Sequence, residues 1–564
     1  MIQQLLVVLF LFGVNCSSTE PPKISNYLGG WSGELLTIDQ FRFDFTLDLR
    51  EEESPLLTVI GPQLEFQAEL VATSPPAKTY RAELPNGVIL KLDLSATQPL
   101  GFLQTGHHLC YLNFESSPAS SVDWRARWNL LLADQMDPTF YLSLDRLDEG
   151  GYSASTFFQS PVCHYMYAQD FQLNDDGFSF VDIRSGIEFK GKLLAEDQIE
   201  LVINYLRQSQ AFTLQRLDYD QWQTGDSDLP VAPLASRLLA TNSIFTPFIA
   251  DLEANRYPGT HSILVNQDGE RKLEYYAPAF SANTLHDTRS LSKSFAAAAV
   301  GLAIQNGYLD NEQALMQGFF PTEDYPSVDW SNEKSAISIH HLLTMSSGLD
   351  AIDFGINRTS YANEGAYQSQ SNWTSYILQA PMLAQPGQVA NYGSANPHLV
   401  GAILATVVEE DLAFFLHKHL FGALGFDQYR LQTSTDGIPY FGGGWYFQPD
   451  QLSNFAEMLL EKGAWEGREI LTDSWVTKCK QKYGPLLNTN DQNQYGYLLW
   501  HQDYDVKGVK YASIEGRGAG GQYFFVIPDL NLSAVITSGN YRSGNPFLPE
   551  QIMEEAILPL ILGR

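Results

Sequence analysis

Ser290 and Lys293 are the residues whose types and spacing most directly suggest chemistry in this sequence. They lie in TRSLSKSF, residues 288–295, where a lysine enters an otherwise apolar segment. A serine hydroxyl is a weak nucleophile that needs a base. Burial makes a lysine release its proton more easily, because desolvation disfavours the ammonium form. The pair therefore predicts a serine that attacks a carbonyl carbon while the lysine takes its proton.

The residues that follow predict a buried helix able to hold this pair. Residues 295–306 are rich in alanine, apolar nearly all round, and end at a plausible Asn306-Gly307 stop. Ser290 would lie one turn before Lys293 on the same face, whereas Ser292 and Ser294 adjoin the lysine in sequence and do not face it. The positive end of the helix would also favour a developing alkoxide.

The same Ser-x-x-Lys spacing occurs a second time, at Ser331 and Lys334. That copy lies in the polar stretch VDWSNEKSAIS, with no apolar helix after it. The spacing alone carries little information, so the context decides between the copies. We expect the second copy to be a solvated surface segment.

Several segments together resemble the serine β-lactamase/penicillin-binding-protein-like family, in its class C-like branch. That branch also holds esterases, D-alanyl peptidases and 6-aminohexanoate-dimer hydrolases. The resemblance covers roughly residues 239–562 and implies an α+β fold, an antiparallel sheet covered by helices. The segments that carry it are RSLSKSF (289–295), ISIHHLLTMSSGLD (337–350), LAQPGQVANYGSANPHLVGAIL (383–404) and GGWYFQPDQLSNFAEMLLEKGAWEGREILTDSWV (443–476).

The resemblance implies a third catalytic group, Tyr392. Tyr392-Gly393-Ser394 stands where Tyr-x-Asn is usual, which implies a phenol near Ser290 and Lys293 that passes a proton to the leaving group. A cationic lysine beside it would favour the phenolate. Ser394 and Asn396 are substrate-binding candidates, and the form YGSANPHLVG is most similar to the dimer hydrolases and related esterases. His398 is expected to be a structural hydrogen bonder.

The third motif of the family departs from its usual Lys- or His-Thr-Gly, because SIEGRGAGG (513–521) contains neither cation at that place. Its GxGxxG spacing precedes a strand instead of a helix, which excludes a dinucleotide site. We expect Gly518 to allow close approach to the backbone, and the N–H groups of Ala519 and Ser290 to form an oxyanion hole. Arg517 either replaces the missing cation or lies on the surface. The departure speaks against β-lactamase activity.

Residues 23–220 differ from the rest of the chain in their pattern of apolar and polar residues, and they predict an all-β, barrel-like accessory domain. Runs such as FRFDFTLDL (41–49) and GVILKLDL (87–94) alternate apolar and polar residues between turn signals. One barrel or two small β units fit, and a loose internal duplication is visible. The expected role is a spacer or structural domain. Residues 221–233 read as a linker and residues 234–564 as the hydrolase domain.

The first 22 residues predict an export signal and a short tether. The apolar stretch 5–14 is too short to span a bilayer and is followed by Cys16. Two outcomes fit: a lipoprotein signal with a lipid anchor on Cys16, or plain secretion. We therefore expect a periplasmic protein or a membrane-anchored lipoprotein. Cys110, Cys163 and Cys479 are too scattered for a zinc site, although Cys110 and Cys163 either pair or remain buried thiols.

Length and charge narrow the classes of function. A chain of 564 residues exceeds one hydrophobic core, and its net charge of −31 argues against nucleic-acid binding. No metal, organic cofactor or partner protein is implied. The sequence predicts an exported serine hydrolase acting through an acyl-enzyme on a small ester, amide or peptide-like substrate, with specificity set by loops such as residues 350–370. The alternatives are a D-amino-acid peptidase or β-lactamase, or a sensor that is acylated without turnover.

Overall fold

The computed structural model describes most of the chain outside its first 23 residues. The described ranges are 24–34, 42–50, 55–73, 78–117, 120–129, 139–146, 151–158, 166–174, 177–182, 185–217, 237–278, 280–489, 494–540 and 545–563. The predicted export signal, Cys16, Cys163 and the predicted linker 221–233 lie outside them. Cys110 and Cys479 are free, buried thiols.

The amino-terminal region contains a closed barrel of antiparallel strands, as the alternating sequence runs predicted. Alternation turns every second side chain inward, and Trp31, Phe140, Phe189 and Leu201 are fully buried. In barrel order the strands are Gly29–Glu34, Thr139–Arg146, Tyr152–Phe158, Met166–Asn174, Gly177–Asp182, Glu188–Ala195, Gln198–Tyr205 and Gln208–Arg216, and the last pairs with the first.

A five-stranded sheet belongs to the same region and shares its apolar core. Its order is Glu115–Ser117, Ser120–Asn129, Arg42–Asp48, Leu56–Gly61 and Leu64–Ala68. Strand Arg42–Asp48 alternates buried and half-buried residues along its whole length, with Phe43, Phe45 and Leu47 facing the core.

The carboxy-terminal region is built on a nine-stranded antiparallel sheet covered by helices, which confirms the α+β fold. Its order is Arg237–Thr241, Glu270–Tyr276, Thr260–Gln267, Leu532–Ser538, Gln522–Ile527, Val509–Gly518, Trp500–Val506, Gln494–Tyr495 and Gly484–Pro485. A two-stranded hairpin joins Ala464–Trp465 to Arg468–Glu469.

The helices of the described chain are mostly short. The α-helices are Thr246–Glu253, Ser294–Gln305, Asn332–Ser335, Ile339–Leu343, Glu364–Gln368, Trp373–Leu378, Ala395–Val407, Leu412–Leu416, Pro449–Leu460, Asp473–Cys479, Leu548–Ile552 and Leu558–Ile561. Single 3-10 turns are Ile24–Asn26, Pro85–Gly87, Ser243–Phe245, Arg289–Lys293, Met316–Phe319 and Pro528–Leu530, and π turns are His417–Phe421 and Met553–Ile557. In the described ranges no helix combines the length and apolarity that crossing a membrane requires.

An eight-stranded sheet, the shared sheet, joins the two regions. Its order is His286–Asp287, Tyr446–Phe447, Arg430–Gln432, His108–Asn113, Leu100–Thr105, Ile89–Asp93, Thr79–Glu83 and Val71–Ala72. The junction is the antiparallel pair that sets Leu431 opposite Leu109. Because both strands carry buried residues, the regions also share an apolar core around Phe102 and Tyr111.

Candidate active site

Ser290 and Lys293 lie in one tight turn, which we call the nucleophile turn (Arg289–Lys293). It runs directly into the buried helix Ser294–Gln305. A 3-10 turn aligns residues three apart, and Lys293 Nζ lies 2.9 Å from Ser290 Oγ. The Lys293 side chain is buried, and its amine also donates to the carbonyl oxygen of Gly442. The predicted pairing on one face is thus present.

The neighbouring serines have structural partners instead. Ser292 Oγ donates to the Arg289 carbonyl over 2.8 Å and accepts from Trp445 N over 3.3 Å. Ser294 Oγ donates to the Leu498 carbonyl over 3.2 Å. Ser290 is the serine of this stretch that faces the lysine.

The second Ser-x-x-Lys copy is not the solvated segment that we expected. Ser331 caps a short helix by accepting from Lys334 N over 3.2 Å. The Lys334 side chain is buried and donates to the Leu378 carbonyl over 2.7 Å. The expectation was wrong because the lysine satisfies its buried charge with a helix-end carbonyl, which a polar sequence does not reveal.

Tyr392 reaches the pair from the start of helix Ala395–Val407. Its ring centroid lies 4.9 Å from Lys293 Nζ, and its phenol is near enough to Ser290 for the two side chains to interact. Asn488 fixes its backbone, accepting from Tyr392 N over 2.7 Å and donating to its carbonyl over 3.1 Å. The three side chains named from the sequence therefore meet.

Burial sets the protonation of this cluster. Burial lowers the pKa of Lys293, and the carboxylates of Glu364 and Asp353 oppose that shift. Burial likewise raises the pKa of the Tyr392 phenol above its ordinary value. The expectation of a phenolate is therefore wrong. Desolvation favours the neutral phenol and outweighs any stabilisation of the phenolate by Lys293, whose own pKa is lowered by burial.

Two carboxyl groups behind the lysine come from the loop 350–370. Asp353 accepts from Ser394 Oγ over 2.7 Å and from Glu364 N over 3.0 Å. Glu364 accepts from the Tyr440 hydroxyl over 2.6 Å, and burial raises the pKa of its carboxyl. The sequence pointed to this loop for specificity but did not single out either acid.

Ser290 opens into a cleft of about 520 Å³. Three successive glycines form one side of the cleft, and sequence reasoning gave them no role although they are easily seen in the sequence. His107, from the amino-terminal region, also lines the cleft, and no local motif predicts that position. The lining residues are His107, Arg289, Ser290, Glu364, Gly365, Gln368, Ser369, Trp373, Gln432, Gly442, Gly443, Gly444 and Ala519. The described chain has no cluster of His, Cys, Asp or Glu suited to a metal ion.

The third-motif residues lie at the end of strand Val509–Gly518. Ala519 lines the cleft with Ser290. Position 518 has no room for a side chain, because a Cβ there would stand 2.1 Å from the Thr288 carbonyl oxygen. Arg517 is buried, against the expectation of an exposed side chain, and pairs with Glu515 at 2.8 Å and Glu550 at 3.0 Å. It is thus engaged by internal carboxylates.

The remaining second-motif candidates are buried beside the cleft, not in its lining as the structure describes it. Ser394 is held by Asp353. Asn396 lines a separate cavity of about 110 Å³, and its Nδ2 lies 3.6 Å from Met345 Sδ. His398 shares a 3.0 Å hydrogen bond with Thr374 Oγ1, and burial lowers its pKa to about 4, which fits the structural role expected.

Comparison with known proteins gives one family and a set of related structures. The family described as Beta-lactamase matches residues 246–555 of the 564. No curated protein matches. A Bacillus anthracis protein assigned as a 6-aminohexanoate-dimer hydrolase is 17% identical, with 55% of this chain and 81% of that chain covered at a TM-score of 0.46.

Two further structures show similar figures. A family VIII carboxylesterase is 14% identical, with 54% of this chain and 94% of that chain covered at a TM-score of 0.43. The octameric penicillin-binding protein homologue from Pyrococcus abyssi is 20% identical, with 56% and 76% covered at a TM-score of 0.44.

Proposed function

Because the chain belongs to the beta-lactamase family, we propose that it is a serine hydrolase of the class C-like branch. It would act through an acyl-enzyme on a small ester, amide or peptide-like substrate. One observation carries the proposal: the buried amine of Lys293 lies 2.9 Å from Ser290 Oγ, and the Tyr392 ring centroid lies 4.9 Å from the same nitrogen.

In acylation, Ser290 Oγ bonds to the substrate carbonyl carbon as its proton passes to the neutral amine of Lys293. The oxyanion is held by the N–H groups of Ser290 and Ala519. The bond to the leaving group then breaks, and the leaving group takes a proton from the protonated Tyr392 phenol, which Lys293 restores.

In deacylation, water adds to the acyl carbon and gives its proton to the Tyr392–Lys293 pair. The acyl bond to Ser290 breaks, and Ser290 Oγ recovers a proton from the same pair. This sequence consumes one water per turnover and returns each side chain to its starting state, so it needs no cofactor.

Esters and simple amides fit the cleft better than carboxylate-bearing β-lactams. The cation that the family usually places in its third motif is lacking, and Arg517 is engaged by Glu515 and Glu550. Arg517 is therefore not free to replace that cation for a substrate carboxylate. This supports an esterase or amidase over the alternatives of a β-lactamase or a D-amino-acid peptidase.

The test is turnover of wild type and Ser290→Ala against p-nitrophenyl esters, anilides and a chromogenic cephalosporin. We expect ester turnover in wild type and a loss of at least about 1,000-fold in Ser290→Ala. Mass spectrometry should find an acyl adduct on the Ser290 peptide of wild type.

Ser331→Ala is the matched control, because Ser331 has the same spacing to a buried lysine but only caps a helix. It should keep wild-type turnover. Ester turnover that persists in Ser290→Ala would contradict the mechanism. A burst without steady turnover would favour the sensor, and faster cephalosporin than ester hydrolysis would favour a β-lactamase.

Export belongs to the same proposal and is supported by the apolar stretch 5–14 ahead of Cys16. The lipid anchor and plain secretion are separated by expressing the full chain and Cys16→Ala in a bacterium and following metabolic labelling with palmitate. Labelling lost in Cys16→Ala supports the lipoprotein, and an exported but unlabelled wild type supports secretion.

A further inference from the structure

The active-site cleft contains a residue from outside the region that carries the catalytic motifs. His107 lies at the turn between strands Leu100–Thr105 and His108–Asn113 of the amino-terminal region, which we call the 107 hairpin. It lines the same cleft as Ser290 and Ala519. We infer that His107 is a specificity-determining residue that limits the size of the substrate group at this end of the cleft, an inference that rests on the proposed function.

The position of His107 is fixed from the hydrolase side. Its ring stacks on Trp373, with centroids 5.9 Å apart and planes 4° from parallel. Its carbonyl accepts from Thr433 N over 2.7 Å, and its Nδ1 lies 3.3 Å from the Thr433 carbonyl. Ring and backbone are therefore held by separate contacts, which leaves His107 little freedom to move away from a large substrate.

The barrel fixes the hairpin from the other side. Tyr205, at the end of a barrel strand, donates to Thr105 Oγ1 over 2.9 Å. Thr105 Oγ1 in turn donates to the Ser185 carbonyl. The turn at Gly186 packs so closely that a Cβ there would stand 3.1 Å from Gly106 N. The barrel thus supports the hairpin that carries His107, which is a more specific role than a spacer.

The side chains that line the cleft explain why the His107 ring would limit the size of the substrate group. Seven of the twelve other lining residues are small, namely Ser290, Gly365, Ser369, Gly442, Gly443, Gly444 and Ala519. Trp373 is almost fully buried beside the His107 ring. Removing that ring would extend the cleft and uncover an indole face suited to an apolar chain, and each methylene accommodated in such a site changes specificity by about 10-fold or more.

The experiment compares wild type, His107→Ala and His107→Phe on two ester series. One series lengthens the acyl chain of p-nitrophenyl esters from acetate to octanoate, and the other enlarges the alcohol of acetate esters. In at least one series, His107→Ala should raise the ratio of kcat/KM for the large over the small substrate by about 10-fold, mainly through KM. His107→Phe keeps a flat ring against Trp373 and should keep the wild-type ratio.

Gln104→Ala is the matched control, since Gln104 belongs to the same hairpin and approaches Gly437 without lining the cleft. It should leave both ratios at the wild-type value. Circular dichroism and labelling of Ser290 by a fluorophosphonate verify that each variant is folded and has a reactive serine.

The outcomes separate this inference from the proposed function. Wild type that hydrolyses no ester, or hydrolysis that persists in Ser290→Ala, contradicts the proposed function. Ser290-dependent hydrolysis with unchanged ratios in His107→Ala contradicts the role of His107 alone. A His107→Phe variant that behaves like His107→Ala also contradicts it, because the ring would then not be the wall.

Discussion

Among the described residues Lys293 forms no ion pair, and its amine donates to the Ser290 hydroxyl and the Gly442 carbonyl. Burial is the main cause of its lowered pKa, so the amine loses its proton more easily in the folded than in the unfolded protein. An unfolded chain binds that proton more readily, so in the range between the two pKa values this lysine favours folding more as the pH rises. The same shift makes Lys293 a usable base below the ordinary lysine pKa.

The charge of Glu364 should tune that base. An ionised Glu364 raises the pKa of Lys293 against the effect of burial. Glu364→Gln removes the charge, so the amine should lose its proton at lower pH. We expect the acidic limb of the kcat/KM profile against pH to move to lower pH in this variant, as measured by ester hydrolysis in constant-ionic-strength buffers.

Glu333→Gln is the control, because Glu333 is half-buried, does not line the cleft and accepts from the Gln385 side chain. Its acidic limb should coincide with that of wild type. A limb that stays in place in Glu364→Gln, or moves to higher pH, would mean that a group other than Lys293 titrates in this limb.

Sequence reasoning found those site residues that a local pattern connects. Ser290 and Lys293 belong to one turn, and the family resemblance added Tyr392. Glu364 and His107 were missed because their places depend on tertiary packing: Glu364 on the packing of the short helix Glu364–Gln368 against Tyr440, and His107 on pairing between distant strands. Neither has a periodicity or motif of its own.

At the scale of elements, the nucleophile turn is held between a strand end and a loop. Gly518 ends strand Val509–Gly518 with the Thr288 carbonyl against its Cα. On the other side, Thr288 N donates to the Trp445 carbonyl over 2.8 Å. The turn cannot move without displacing one of these neighbours.

Gly518→Ala should therefore disturb the site through this contact. The added Cβ, 2.1 Å from the Thr288 oxygen, must push strand and turn apart. We expect a loss of about 1–3 kcal/mol in the free energy of unfolding and about 100-fold in kcat, measured by urea denaturation and ester hydrolysis. Gly318→Ala, where a Cβ meets nothing within 4 Å, should alter neither. Wild-type kcat in Gly518→Ala would show that the turn tolerates the shift.

Long elements were predictable and very short ones were not. The helix expected at residues 295–306 is found at Ser294–Gln305, because an alanine-rich apolar run and an Asn-Gly stop define it locally. The strands His286–Asp287 and Tyr446–Phe447 are two residues each. Two residues have no period, so such strands exist only through their partners in the sheet.

At the scale of the whole molecule, the change of texture at residues 221–233 does not reveal how closely the regions are joined. Phe102 packs against Phe414 with ring centroids 5.4 Å apart, and Tyr111 stacks on His417 at 4.1 Å. Lys91 pairs with Asp411 at 2.7 Å across the same junction. Such contacts link residues far apart in sequence, and no local sequence pattern predicts them. Composition alone therefore suggested separable domains.

This junction predicts that the described regions unfold together. The shared sheet contributes to two apolar cores, one with the barrel and one with the helices of the carboxy-terminal region, so neither region has an independent boundary at which to unfold. Phe189→Ala tests this from a distance, since Phe189 is fully buried in the barrel against Phe180, with centroids 4.8 Å apart. Its removal should cost about 3–5 kcal/mol.

If the two regions unfold together, the stability lost in Phe189→Ala also destabilises the active site, although Phe189 does not contact it. Calorimetry should show one transition in wild type, moved to lower temperature in Phe189→Ala, and Ser290-dependent ester hydrolysis should be lost at the same lower temperature. Val509→Ala, at an exposed position, should leave the transition in place. Two transitions, with activity following the one that Phe189→Ala leaves unmoved, would mean that the hydrolase region keeps its fold without the barrel. The barrel could then not be what holds the 107 hairpin at the cleft.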